Sequence, residues 1–276
     1  MSLSPAESFL AGFHDADPGG TPRAFAHLPA SLAGRDFASS YDCLIDAVPS
    51  TAAAVLDLAC GDGYLLSLLA ARRPGLSLAG VDLSAGELAA ARRRLGAAVP
   101  LHQARAQALP LDDASADAVV CHMALMLMDD APQVLAEVRR VLRPDGVFSA
   151  VIGGGRVDSA PRDAFVSLLL QRRRLSQFES LRLGDRRLYS PEGVADLFAP
   201  GFEPPAIEEV LLKWRCGPEG LWDWFGGMYD MGWLAPEDGA AVRRDFLDAM
   251  QPLCDAGRQI EQRVMLRRIT ARARAG

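Results

Sequence analysis

The chain has 276 residues, half of them hydrophobic, with 29 Lys plus Arg against 35 Asp plus Glu and a formal net charge of -6. That length accommodates one large α/β domain or two small ones, and the apolar fraction suffices to fill a core. The acidic balance lacks the basic footprint that nucleic acid or an anionic membrane requires, so neither is an expected partner.

Five cysteines, Cys43, Cys60, Cys121, Cys216 and Cys254, form an odd set without a CxxC pair. They predict reduced, mostly buried thiols rather than a disulfide framework or a zinc site. The opening MSLSPAESFL has neither the basic start nor the apolar core of a signal peptide, and the apolar runs fall short of a membrane span. A cytoplasmic location is the default expectation.

Residues 1–50 mix short helical patterns with Pro/Gly breaks: PAESFLAGF, then DADPGGTPRAF, then RDFASSYDCLIDAVP, where Phe37, Tyr41, Leu44, Ile45 and Val48 fit one helix face. They predict a helical preface that acts as a lid. From residue 51 to 155, strands and helices alternate: VLDLAC, YLLSLLAARR, LSLAGVDL, AGELAAARRRL, VPLHQARA, DAVVCHM, PQVLAEVRRVL and GVFSAVIG. Short apolar strands separated by amphipathic helices describe parallel βαβ units buried on both faces. Residues 156–188 then break the alternation with DAFVSLLLQRRRLSQFESLRL, a basic-faced helix read as a cap insertion. The remainder of the core, 189–276, opens with SPEGVADLFA, where Ser190 is the expected N-cap and Pro191 opens the first turn. It adds strands near 207–214 and 263–273 around an aromatic helical insertion at 217–253. The fold class expected is α/β: a Rossmann-like, doubly wound sheet of about seven strands, mostly parallel, with an antiparallel last strand.

The run VLDLACGDGYLL, residues 55–66, places an aspartate and two glycines at the mouth of the first core strand. Ligands of such sheets sit outside the carboxyl ends of the strands, beside the point where strand order reverses. Gly61 and Gly63 permit positive φ and a close backbone approach, and the helix that follows aims N–H groups at the same place. With Asp57 opposite, a zwitterionic amino-acid group would find both charges answered. Two nucleotide patterns fail here: G-x-G-x-x-G would need a small residue where Leu66 stands, and a phosphate loop would need G-K-[ST], whereas the one lysine of the chain is Lys213.

The stretch resembles the first motif of class I S-adenosylmethionine-dependent methyltransferases, an acidic residue followed by G-x-G-x-G, with Ala59 at the first glycine. VDLS, ending in Asp82 with Leu83 after it, resembles the second. ALPLDDASADAVV resembles the segment leading into the fourth strand, and EVRRVLRPDGVF the helix and turn before the fifth. The resemblance covers roughly residues 50–155. It implies S-adenosylmethionine as cofactor, with Asp57, Ala59, Gly61 and Gly63 around its amino-acid part and Asp82 and Leu83 at the ribose. Where the family often places an aspartate against the adenine, this chain has Arg105, and the backbone of Ala106 and side chain of Gln107 are expected instead. It also implies that the preface closes over the cofactor, Arg23 pairing its carboxylate and Tyr41 offering a ring face to the sulfonium.

For the chemistry, His122 and His14 are the candidate bases, although a lone histidine such as His122 serves equally well as a structural one. Phe13, Trp222 and Tyr229 are candidate contacts to a small-molecule acceptor, against the plainer reading of aromatics as core. Met123, Met126 and Met128 read as packing, Asp129 and Asp130 as caps of the next helix, and no metal cluster stands out. The function the resemblance implies is methyl transfer by in-line displacement to a small acceptor of a secondary-metabolism kind. A cyclase of the azetidine-2-carboxylate synthase type, releasing methylthioadenosine, and a non-catalytic binding protein remain alternatives. The acceptor and the oligomeric state are not written in the sequence.

Overall fold

The computed structural model of the protein describes residues 3–172 and 183–274. Helix α1 (Pro5–Ala16) starts from a capping box, Ser4 Oγ accepting from the Glu7 N–H at 3.1 Å while the Glu7 carboxylate accepts from the Ser4 N–H at 2.9 Å. After α2 (Gly20–Phe25), strands β1 (Ala30–Leu32) and β2 (Arg35–Phe37) form a hairpin, followed by α3 (Ser40–Ala47). The preface is therefore helical only in part. The hairpin turns on Ala33 and Gly34, at φ 49° and 75°, the left-handed pair that matches strand twist. Ala33 is an uncommon residue there, so the turn carries no Asn-Gly or Asp-Gly signal in the sequence.

The alternating region then supplies β3 (Ala54–Leu58), α4 (Tyr64–Arg72), β4 (Ser77–Asp82), α5 (Ala85–Leu95), β5 (Leu101–Gln103), β6 (Ala116–His122), α6 (Ala131–Val141) and β7 (Leu142–Gly153). Beyond it lie α7 (Ala160–Arg172), α8 (Pro191–Phe198), β8 (Ala206–Cys216), α9 (Pro218–Gly226), α10 (Pro236–Met250) and β9 (Ile260–Arg272). Ser190 caps α8 as expected, its Oγ accepting from the Gly193 N–H at 3.1 Å. The rest of the basic helix expected after Arg172, with Arg173 and Arg174, lies outside the described residues.

One sheet runs in the order β2-β1-β8-β9-β7-β6-β3-β4-β5. Strands β3 to β7 are mutually parallel, and β9 is antiparallel to both β7 and β8. The sheet has nine strands rather than about seven, because the hairpin β1–β2 extends it beyond β8. The chain leaves β3 for β4 and β5 on one side, then returns to β6 on the other, so strand order reverses at the carboxyl ends of β3 and β6.

Each sheet face packs its own apolar layer: Leu56, Val119 and Phe148 belong to one, Val55, Val120 and Leu266 to the other. A third cluster of Phe165, Leu221, Phe225, Val242 and Phe246 joins α7, α9 and α10. Cys43, Cys60 and Cys121 are buried thiols, and burial pushes Cys43 and Cys121 up to about 12. Among the described residues no helix is long and apolar enough to cross a membrane.

Candidate functional site

Strand β3 is buried up to its end, and its Asp57 side chain is carried into the interior with it. The Oδ2 atom has no hydrogen-bond partner among the described residues. Burial, then the charges of Asp82 and Asp62, hold the Asp57 carboxyl well above the ordinary carboxylate range. The turn that follows is left-handed at three positions: Ala59 at φ 58°, Gly61 at 53° and Gly63 at 76°. Glycine takes this conformation at no steric cost; Ala59 takes it with a Cβ in place. On the next strand, Asp82 ties the turn down, its Oδ2 accepting from the Gly61 N–H and its Oδ1 from the Ser84 N–H, both at 2.8 Å. Burial still raises its pKa.

The opposite wall comes from β6 and α3. The His122 ring stacks on Tyr41 at 3.7 Å between centroids, and its Nε2 lies 2.9 Å from Ser40 Oγ. Its Nδ1 has no partner among the described residues, and burial pushes the imidazole down to about 3. At neutral pH His122 is an uncharged ring that stacks and hydrogen-bonds, a poor place to leave a proton. Met123, the next residue, is also left-handed at φ 56°.

Helix α1 roofs the space. Glu7, Leu10, Ala11 and His14 stand on one helical face, at spacings of three and four, and all four line the cavity. Arg105 Nε donates to Glu7 Oε1 at 2.8 Å, and Ser4 bonds to Asp129. His14 Nδ1 lies 3.2 Å from Glu87 Oε1. Burial lowers the His14 pKa, but the bond to Glu87 and the charges of Glu87, Asp82 and Asp15 outweigh it, and the net shift is upward. The cavity encloses about 1070 Å³, mouth included.

Ten sequence-derived candidates converge on this one cavity: Asp57, Ala59, Gly61, Asp82, Leu83, Ala106, Gln107, Tyr41, His14 and His122. Five do not line it. Gly63 lies behind the turn, where a Cβ would come 2.7 Å from Leu95 Cδ1, so its glycine serves helix packing. Arg23 is exposed, pairs with Asp17 and donates to the Pro18 carbonyl at 2.9 Å. Phe13 packs edge-on against His14 from α1. Trp222 packs on Phe165 and Phe246 in the third apolar cluster, and Tyr229 belongs to the 3-10 turn Tyr229–Trp233 beside it. Trp224 of the insertion meets Phe25 edge-on, and Phe25 in turn meets the cavity-lining His122 edge-on. Met123 and Met128 line the cavity rather than merely packing, whereas Met126 is core. Asp130 caps α6 through the Gln133 N–H at 3.4 Å, while Asp129 is taken by Ser4. Gln107 has its amide nitrogen on the Asp129 carbonyl at 2.6 Å.

Sequence reasoning missed Glu7, Leu10 and Ala11, although their spacing with His14 was readable, and it missed Glu87 and Asp62. Asp62 is held by Arg94. Among the described residues no group of three His, Cys, Asp or Glu is placed to hold a metal ion.

Residues 56–150 match the family described as "Methyltransferase domain". Demethylmenaquinone methyltransferase of Symbiobacterium thermophilum is 38% identical over 100 residues, 34% of this chain and 40% of that protein. Trans-aconitate 2-methyltransferase of Deinococcus radiodurans is 28% identical over 207 residues, 71% of this chain and 76% of that one. This chain therefore spans about two fifths of the Symbiobacterium relative and about three quarters of the Deinococcus one. Among solved structures, the (4+2)-cyclase SpnF matches with a TM-score of 0.57 at 18% identity, over 100% of this chain and 99% of that one. A phosphoethanolamine N-methyltransferase of Haemonchus contortus, solved with S-adenosylhomocysteine, matches with a TM-score of 0.58 at 16% identity, over 99% and 61%. At these identities the structural likeness concerns the fold.

Proposed function

We propose that this chain, which belongs to the class I S-adenosylmethionine-dependent methyltransferase family through its residues 56–150, transfers a methyl group from S-adenosylmethionine to a small-molecule acceptor. The observation that carries the reading is the pair of carboxylates, buried Asp57 and half-buried Asp82, at the ends of adjacent strands on one cavity, with a left-handed turn between them.

The residues fit that cofactor. An unpartnered, buried Asp57 oxygen calls for a donor such as an ammonium group, and the N–H groups opening α4 call for a carboxylate. Asp82 uses one lone pair of each oxygen on backbone N–H groups, and a carboxylate oxygen has a second for a ribose hydroxyl. The backbone of Ala106 and the side chain of Gln107 border the place for the base, and the stacked Tyr41 ring borders the reacting end. When bound, the cofactor supplies a methyl carbon already activated by a sulfonium.

The protein's own work is alignment and exclusion of water, which the α1 roof performs. A protic acceptor must also lose a proton. His14, with Nδ1 oriented by Glu87 and a pKa above its usual 6.5, is better placed for that role than His122, held near about 3.

Incubation with S-adenosylmethionine and a panel of acceptors, starting from a trans-aconitate-like acid and a demethylated quinol, followed by mass spectrometry, tests the reading. Acceptor-dependent S-adenosylhomocysteine supports it. Methylthioadenosine would replace it with an intramolecular cyclisation, and unchanged cofactor bound tightly would replace it with a binding protein.

A further inference from the structure

The run S-A-G-E at 84–87 opens α5 and has the spacing of a capping box. Half of the box forms: Ser84 Oγ accepts from the Glu87 N–H at 3.0 Å. The other half would return the Glu87 carboxylate to the Ser84 N–H, but that N–H is already committed to Asp82. Glu87 turns to the roof instead. Its Oε2 accepts from the Gly19 N–H at 2.9 Å, and its Oε1 faces His14 Nδ1 at 3.2 Å. The residue is 2% exposed, a setting in which a carboxylate without partners would be costly.

The exchange is reciprocal. Asp15, on α1, accepts from the Ser84 hydroxyl at 2.6 Å and the Gly86 N–H at 2.8 Å, so a carboxylate from the roof occupies the N-terminal cap of α5. Ser84 thus serves two masters: its N–H seats Asp82 and its O–H seats α1. Glu87 and Asp82 across from His14 and Asp15 beside it are acidic, and their charges raise its pKa.

We propose that Glu87 is a positioning residue which, together with Asp15, clamps α1 over the cavity and sets how long a bound nucleoside resides there. The choice of ligand rests on the cofactor reading above; the clamp itself rests on the hydrogen bonds that tie α1, and Gly19 just after it, to the start of α5. Asp15 lies off the cavity wall, so a shared phenotype with Glu87 travels through α1.

Glu87→Gln and Asp15→Ala test this with S-adenosylhomocysteine as the probe, by calorimetry and stopped-flow dissociation, and with hydrogen exchange of residues 5–16 in the ligand-free protein. Both variants should release the probe about tenfold faster, in keeping with the loss of charge-assisted hydrogen bonds, and should speed exchange in α1. Glu87→Asp should recover only part of the residence time, its shorter arm reaching one partner. Weaker binding in Glu87→Gln alone, with α1 exchange unchanged, would mean that Glu87 touches the ligand directly and would overturn the clamp. A lower unfolding temperature with unchanged dissociation would reduce both residues to ordinary structural roles and overturn it as well. Failure of the unaltered protein to bind the probe would sink the cofactor reading, and α1 exchange in the ligand-free variants would then decide the clamp by itself.

Discussion

The cavity at the carboxyl ends of β3, β4 and β6 and the aromatic cluster between α7, α9 and α10 both bury rings, but on opposite terms. In the cluster, Phe165, Phe225 and Phe246 meet one another at centroid distances of 4.8 to 6.0 Å, the spacing aromatic rings prefer. At the cavity, buried polar atoms of Asp57 and His122 have no partner among the described residues, and Ala59 and Met123 hold left-handed backbone. Rings that meet one another in this way are core. A region that stores strain and open hydrogen-bonding capacity is one the fold has arranged around something else. This difference explains why Trp222, an attractive acceptor contact on paper, packs into the insertion, while Tyr41 and the inconspicuous Ser40 shape the site.

Separate perturbation of the two regions should sharpen the contrast. The largest effect is expected from Phe246→Ala, which empties a fully buried ring position and should cost about 3–5 kcal/mol of stability in denaturant titration. Affinity for S-adenosylhomocysteine in the remaining folded protein should be nearly unchanged; a proportionate loss of affinity would erase the distinction between the regions. Asp82→Ala should do the reverse, weakening that affinity on the order of 100-fold through lost charge-assisted hydrogen bonds and a loosened turn. Unaltered calorimetric binding would remove Asp82 from the site.

A third effect is pH-dependent. His122 takes up a proton near its ordinary 6.5 when unfolded but only near about 3 when folded, so the unfolded chain protonates first. The stability tied to its neutral burial is complete above 6.5 and drains as pH falls from 6.5 towards 3. Urea midpoints across that window should fall less steeply in His122→Gln than in the unaltered protein, and parallel slopes would contradict the neutral ring. His14 has the opposite sign: its raised pKa gives a contribution that is complete below 6.5 and is lost as pH rises through the folded value. The smallest effect is expected at Ala59→Gly, which should relieve the Cβ clash of a left-handed residue and add roughly 1 kcal/mol. A destabilised glycine variant would show that the turn is not strained there.

Much of this was legible beforehand for a physical reason. Period-two and period-3.6 patterns and Gly turns are local, so β3, α4, β4, α5, β6 and β7 and the positions of Asp57 and Asp82 at strand ends follow from short stretches of chain. The hairpin β1–β2 was not, since its turn depends on Ala33 accepting an uncommon conformation to extend the edge at β8. Arg23 stands off the cavity wall because an arginine's reach lets neighbours such as Asp17 and Pro18 hold it locally. Glu87 was invisible because its box spacing was intact and only competition for the Ser84 N–H diverted it.

The sequence by itself determined the alternation of strands and helices, the order reversal that opens a crevice, and the acidic residues that face it, all of which follow from pattern and from residue type at strand ends. The tertiary structure alone decided which side chains roof that crevice and which carboxylates are left without partners. Those outcomes depend on contacts between residues as far apart as His14 and Glu87 or Ser40 and His122, and on burial, which sets the cost of a charge only once the surrounding chain has closed around it.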